Sequence, residues 1–174
     1  MAPVSKFNVL NFCEEPEKRR FQNQSIDADS VFWDFGVVGI NTDTSSANNP
    51  EFFYTTPGTY TVTQTVFNSE TGCFHRTTKD LVITNPQAAF NVPIVEGCAP
   101  FALSVVDASV DADAWNWIAP GGVISDAGAQ TPTITYNIPG KYTDIQLIIT
   151  DVNNCNDTIS VSYTHLTLPT NREV

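Results

Sequence analysis

The sequence predicts an all-β protein made of two tandem antiparallel β-sandwiches. One observation behind this is an internal repeat. Phe7-Asn8-Val9 returns 83 residues later as Phe90-Asn91-Val92. Trp33, Pro50, Tyr54, Pro57, Gly58, Tyr60 and Cys73 align with Trp115, Pro132, Tyr136, Pro139, Gly140, Tyr142 and Cys155, each 82 residues on. A copy of about eighty residues is a small domain, not a solenoid blade. Another is alternation: Tyr60, Val62 and Val66 share one face, and Thr59, Thr61, Thr63 and Thr65 the other. Period two with threonine on the wet face is what a half-buried strand requires. The third is the regular spacing of short β-prone runs between turn residues, which reads as a sandwich.

Copy one can be taken in order. Strands are expected near Phe7–Phe12 and Arg20–Gln24. Asp27-Ala28-Asp29-Ser30 makes the next turn, because short Asx side chains hydrogen-bond their own backbone. A strand over Val31–Phe35 follows, and then a polar loop from Gly39 to Asn49 that has room for a short edge strand. Glu51–Thr55 is the next strand, and the alternating run around Tyr60–Val66 the cleanest. Gln64 takes an inward slot on that run and needs a hydrogen bond or a place near the rim. The last strand starts after Gly72 and ends near Thr84.

Copy two keeps this plan with one departure. After Tyr142 the apolar phase runs Ile145, Leu147, Ile149, one residue later than in copy one. A one-residue slip would turn the whole face outward, so a β-bulge is expected at Thr143-Asp144. Asn85-Pro86 marks the joint, giving expected domains at residues 4–84 and 86–161. So short a linker predicts a semi-rigid rod. Residues 162–174 look like the translated read-through of a sequencing adaptor, which would place them outside the fold. The alternative is a genuine last strand, since Val161 and Tyr163 alternate.

The paired stretches Trp33-Asp34-Phe35-Gly36 and Pro57-Gly58-Thr59-Tyr60-Thr61-Val62 resemble the PKD-type domain, named for polycystic kidney disease proteins. They recur as Trp115-Asn116-Trp117 and Pro139-Gly140-Lys141-Tyr142. The resemblance covers Phe7 to about Val161. It implies immunoglobulin-like sandwiches, no cofactor, and a non-catalytic role as a spacer or adhesion segment of a larger secreted or cell-surface bacterial protein. Such domains also accompany chitinases and proteases, so the alternative is an accessory carbohydrate- or substrate-binding module of a secreted hydrolase. Implied partners are neighbouring domains of the same polypeptide and an extracellular glycan or protein. Asp34 matches a family residue that holds loop backbone, and Asn116 in its place keeps hydrogen bonding without charge. Two departures stand out. The acidic residue that usually follows the W-D-F-G segment is missing in both copies, and Gln64 stands where the family usually has Leu.

Charge excludes two partner classes. Eight Lys plus Arg against 19 Asp plus Glu give a net −11 over the 174 residues. That balance repels nucleic-acid phosphates and anionic lipid. No apolar run reaches the ~18 residues of a membrane span. Few lysines, many threonines and asparagines, and four cysteines read as an extracellular composition, with the export signal elsewhere in a longer protein.

Cysteines in such a composition suggest disulfides. One pairing lies within each copy: Cys13 with Cys73, and Cys98 with Cys155. Against it, Cys13 and Cys73 fall at opposite ends of parallel-running sandwich strands, roughly 20 Å apart, whereas a disulfide needs Cα atoms within about 7 Å. The alternative pairs Cys13 with Cys155 across the junction.

Other chemistry is thinly represented. Asp27 and Asp29, with Asp111 and Asp113 in the matching turn, are the best candidates for Ca²⁺. Two carboxylates fall well short of the six to eight ligands needed, and solvated turn aspartates are the plainer reading. His75 is the histidine within the repeats and has no counterpart in copy two, so a surface role outweighs a catalytic one. Phe52-Phe53-Tyr54 and Trp115-Asn116-Trp117 alternate across strands, so one residue of each set should face outward. That residue is a candidate sugar-stacking platform, against the reading of core aromatics with an edge-strand cover.

Overall fold

A computed structural model describes residues 1–92, 99–138, 142 and 144–161. The chain divides into two compact units, Met1–Asn85 and Pro86–Val174. All the regular structure among the described residues is β, and no helix there is long and apolar enough to cross a membrane.

The first unit contains β1 (Phe7–Asn11), β2 (Lys18–Asn23), β3 (Ser30–Asp34), β4 (Thr44–Ser45), β5 (Glu51–Phe53), β6 (Gly58–Asn68) and β7 (Cys73–Ile83). They form two antiparallel sheets, ordered β1-β2-β5 and β4-β3-β6-β7. Strand β4 is the short edge element that the polar loop allowed. Strand β2 begins at Lys18, two residues before the expected start. The β6–β7 hairpin closes through a loop held by Asn68: its carbonyl accepts Gly72 N–H at 2.9 Å and its Oδ1 accepts Thr71 N–H at 3.0 Å. Gly72 has φ +69°, a conformation glycine adopts without strain.

The sheets face each other across an aromatic core of Phe7, Phe21, Trp33, Phe35, Tyr54, Val62 and Ile83. Phe7 of one sheet meets Trp33 of the other edge-on, with ring centroids 5.2 Å apart. Such pairs add about 0.5–1.5 kcal/mol beyond area burial. On β6, Val62, Gln64 and Val66 are buried and Thr59 and Thr61 exposed, so the alternation holds. Thr65 departs from it. It points to the wet face but is buried, flanked in register by Phe32 and Arg76.

The second unit contains β8 (Phe90–Asn91), β9 (Phe101–Ser104), β10 (Val106–Asp107), β11 (Ala114–Ile118), β12 (Val123–Ile124), β13 (Thr133–Tyr136), β14 (Ile145–Thr150) and β15 (Asn156–Val161). The sheets run β12-β13-β9 and β11-β14-β15, with β8 and β10 paired separately. The core is more aliphatic: Phe90, Leu103, Val105, Trp117, Ala119, Ile134, Tyr136, Ile145, Leu147 and Ile149. Asp144 has φ +69°. Thr143 lies outside the described residues, and so does the bulge expected there. Residues 162–174 also lie outside them.

Candidate functional site

The signature residues lead into the packing. Trp33 is fully buried and donates Nε1–H to the carbonyl of Ala47 at 2.9 Å. In the second unit the residue that does this is Trp117, buried to 2% exposure, which donates to the carbonyl of Ala129 at 2.9 Å. It also meets Phe90 edge-on at 5.1 Å, as Trp33 meets Phe7. The counterpart of Trp33 is therefore Trp117 and not Trp115. The preceding turns agree, with Asp27 and Asp111 both left-handed at φ +56° and +54°. A fixed 82-residue offset lands on Trp115 because the next loop is shorter in the second unit. The indole reaches 14 residues ahead in the first unit and 12 in the second.

This correction moves two more residues. Asp34 corresponds to Ile118, and Asn116 to Phe32, an outward position. Asp34 does hold backbone, its Oδ1 accepting Gly36 N–H at 2.9 Å. Gly36 has φ +78°, and a Cβ there would lie 2.5 Å from the carbonyl oxygen of Thr61. Both facts require glycine. Ile118 cannot make the Asp34 contact.

The tyrosines repeat as the sequence aligned them. Tyr60 packs on Tyr54 at 4.3 Å, and Tyr142 on Tyr136 at 4.0 Å. The Tyr60 hydroxyl donates to the Thr56 carbonyl at 2.8 Å, and Tyr142 makes the same four-residue reach to Ile138. Thus the tyrosine after the Pro57-Gly58 turn pins the residues before it. Pro139 and Gly140 lie outside the described residues. Burial raises the phenol pKa of Tyr54 and of Tyr136 above the ordinary value.

Gln64 is fully buried and resolves its polarity through a network. Its Oε1 accepts from the hydroxyls of Ser5 at 2.7 Å and Ser25 at 3.1 Å, and its Nε2 donates to Asn23 Oδ1 at 2.8 Å. His75 is exposed, and its Nδ1 accepts Ser5 N–H at 2.9 Å, which ties the N-terminal segment to β7.

Among the carboxylate candidates Asp29 builds its turn through its side chain, and Asp27 and Asp113 through their backbone. Asp29 accepts both the backbone N–H and the hydroxyl of Ser69, and these hydrogen bonds hold its carboxyl below the usual range. The carbonyl of Asp27 accepts from Asn68. Asp113 N–H donates to Thr150 in the matching turn. No group of three or more metal-ligating side chains comes together among the described residues.

The proposed stacking platforms fare differently. Trp115 and Trp117 share one face, so Asn116 is the outward residue of its set. Trp115 is half-buried, with Nε1–H donated to Asp107 at 2.9 Å. Phe53 is the outward residue of the other set, at 55% exposure. Cys13 and Cys155 are both disulfide-bonded, whereas Cys73 is a free, exposed thiol. The within-copy pair Cys13–Cys73 is thereby overturned, since Cys73 is a free thiol while Cys13 is bonded. Cys98 lies outside the described residues.

No family model matches the sequence, and no curated protein does. Among solved structures the chain is similar to the PKD1 domain of Vibrio anguillarum Epp, at 31% identity and TM-score 0.41, covering 48% of this chain and 94% of that one. It is equally similar to the PKD1 domain of the Vibrio cholerae metalloprotease PrtV, at 31% identity and TM-score 0.40, covering 48% and 98%. That level of identity runs over nearly the whole of each domain. The chain belongs to the PKD-domain family. The shared span matches one of the two units in size. The PKD signature is thus a packing device in this chain, with Trp33, Phe35 and Trp117 inside, Tyr60 and Tyr142 packed against the cores, and Gly36 at a close backbone crossing. A more distant likeness, to fibronectin(III)-like modules of Clostridium thermocellum CbhA, has 14% identity and TM-score 0.45, covering 95% of this chain and 93% of that one.

Proposed function

We propose that the chain is a non-catalytic extracellular segment of a larger secreted or cell-surface bacterial protein, serving as spacer and adhesion module. The observation that carries this is the commitment of the signature residues to structure. Trp33, Phe35 and Trp117 are buried, Tyr60 and Tyr142 pin the residues before their turns, and Asp34 holds Gly36. Stiffness then comes from the sandwiches, and binding is left to their surfaces and loops. The disulfide bonding of Cys13 and Cys155 supports an oxidising compartment. We further propose that these two residues pair with each other.

One test is deletion of the segment from its parent protein. Surface attachment or reach is expected to fall, while turnover of a small soluble substrate by any neighbouring catalytic domain stays the same. Loss of that turnover would overturn the reading. A second reading, an accessory module of a secreted hydrolase, draws support from the metalloprotease that carries a similar PKD1 domain. It predicts a catalytic domain in the same polypeptide, whereas the spacer predicts further copies.

A further inference from the structure

The outer face of the β3-β6-β7 layer in the first unit carries three exposed phenylalanines. Phe32, Phe67 and Phe74 are 44%, 43% and 64% exposed. Register groups them at one end of the sheet. Ser30, Phe67 and Phe74 form one cross-strand row, and Phe32, Thr65 and Arg76 the next. The rings of Phe67 and Phe74 lie 6.1 Å apart, and Arg76 Nε donates to the Thr65 hydroxyl at 3.3 Å.

The second unit is an internal control. Its register places Asn116, Thr150 and Asn156 where the first unit has Phe32, Phe67 and Phe74. There the Thr150 hydroxyl donates to Asn156 Oδ1 at 2.7 Å, a polar pair in place of two rings. The same sandwich is thus built with polar residues at these positions, so packing does not demand the aromatics.

We propose that this patch binds a neutral, β-1,4-linked polysaccharide, single sugar rings stacking on phenyl rings tilted 42° to each other. Size argues against a second copy of the chain. The three rings together expose roughly 300 Å², at about 200 Å² per whole ring, whereas a stable protein interface takes about 800 Å² from each partner. An area of that order suits a few sugar rings. Charge argues for neutrality: Arg76 is the single cation of the patch, on a chain of net −11 that repels polyanions. The chemistry fits as well. A pyranose presents C–H bonds on its faces, which stack on phenyl rings, and hydroxyls at its rim, which suit the exposed Ser30 and Arg76 beside the rings. The proposal rests on reading the chain as an interaction module, but that module could act without this ligand.

The test is depletion of the tandem protein by phosphoric-acid-swollen cellulose and by colloidal chitin. It compares the wild type, the single variant Phe74→Asn, and the triple variant Phe32→Asn, Phe67→Thr, Phe74→Asn. These substitutions copy the second unit, and circular dichroism with thermal melting verifies the fold. Each ring is expected to be worth about three- to tenfold in affinity, so the triple variant should lose binding to both polymers. Absence of wild-type binding, or equal binding by a folded triple variant, would overturn the proposal. So would wild-type dimerisation in sedimentation that the triple variant abolishes, since a second copy would then be the occupant. If the triple variant fails to fold, the single variant decides: undiminished binding counts against the patch. A negative result on both polymers leaves the deletion test of the module reading intact.

Discussion

Trp33 and Trp117 do the same work at non-matching sequence positions, each indole donating to an alanine carbonyl at 2.9 Å, Ala47 or Ala129. Each also belongs to its core and has an edge-on phenylalanine partner. Truncating either to alanine removes a large buried ring and orphans a carbonyl. The expected cost is about 3–5 kcal/mol, read as a shift in urea or thermal unfolding. Trp115→Ala should cost clearly less, because Trp115 is half-buried. Equal effects for Trp115 and Trp117 would contradict the assignment of Trp117 as the counterpart of Trp33.

The two tyrosines allow a sharper comparison. The buried hydroxyl of Tyr54 donates to the Phe35 carbonyl at 3.1 Å, whereas that of Tyr136 has no partner among the described residues. Tyr54→Phe should therefore cost about 0.5–1.5 kcal/mol. Tyr136→Phe should be neutral or slightly stabilising, since it removes a buried polar atom that gains nothing. Denaturant midpoints of the two variants check the order.

Gln64 tests whether a buried polar network matters more than its central residue. The corresponding residue in the second unit, paired in register with Trp117 as Gln64 is with Trp33, is Leu147. Gln64→Leu would remove three side-chain hydrogen bonds, leaving the Ser5 hydroxyl with the residue-64 carbonyl, the Ser25 hydroxyl with the Lys6 carbonyl and Asn23 Oδ1 with Ser25 N–H, at about 1–3 kcal/mol. Adding Ser5→Ala should cost less in the Gln64→Leu background than in the wild type, because one of the bonds it breaks is already gone. Strict additivity in that double-mutant cycle would mean that the network is not coupled.

How far the sequence could be read depended on which signal each residue leaves. The alternation on β6 and the Pro-Gly-x-Tyr turn are local, and local patterns survive to the structure. The correspondence of Trp33 was misread because loop length is not local. A loop two residues shorter shifts everything before it relative to everything after, and a fixed offset then lands on Trp115. The exposed phenylalanines were hidden for another reason. Phe67 continues the outward phase of Thr59, Thr61, Thr63 and Thr65, and that phase was the available clue. Its neighbours Phe32 and Phe74 come from strands that only register brings alongside.

Gly36 carries a prediction of its own. With φ +78° and the Thr61 carbonyl 2.5 Å from where a Cβ would sit, Gly36→Ala meets both a backbone penalty and a clash that only a strand shift can relieve. A loss of about 1–3 kcal/mol is expected from the conformation alone, and more from the contact. Gly39, also left-handed at φ +84°, has open space around it, so Gly39→Ala should show the conformational part without the clash. The difference between the two variants in one unfolding assay isolates the close crossing.

Asp29 gives the pH dependence. The hydroxyl and backbone N–H of Ser69 depress its carboxyl pKa in the folded state. A depressed carboxylate contributes stability that is present above its unfolded value, about 3.9, and lost as pH falls through the folded value. The group is fully exposed, so the effect on unfolding should be small and is better followed at the site. An NMR titration of the Asp29 carboxyl should place its midpoint below the ordinary aspartate range. Ser69→Ala should raise it, since the side-chain hydrogen bond goes with the hydroxyl. A midpoint that ignores Ser69→Ala would mean that the backbone N–H alone holds the turn.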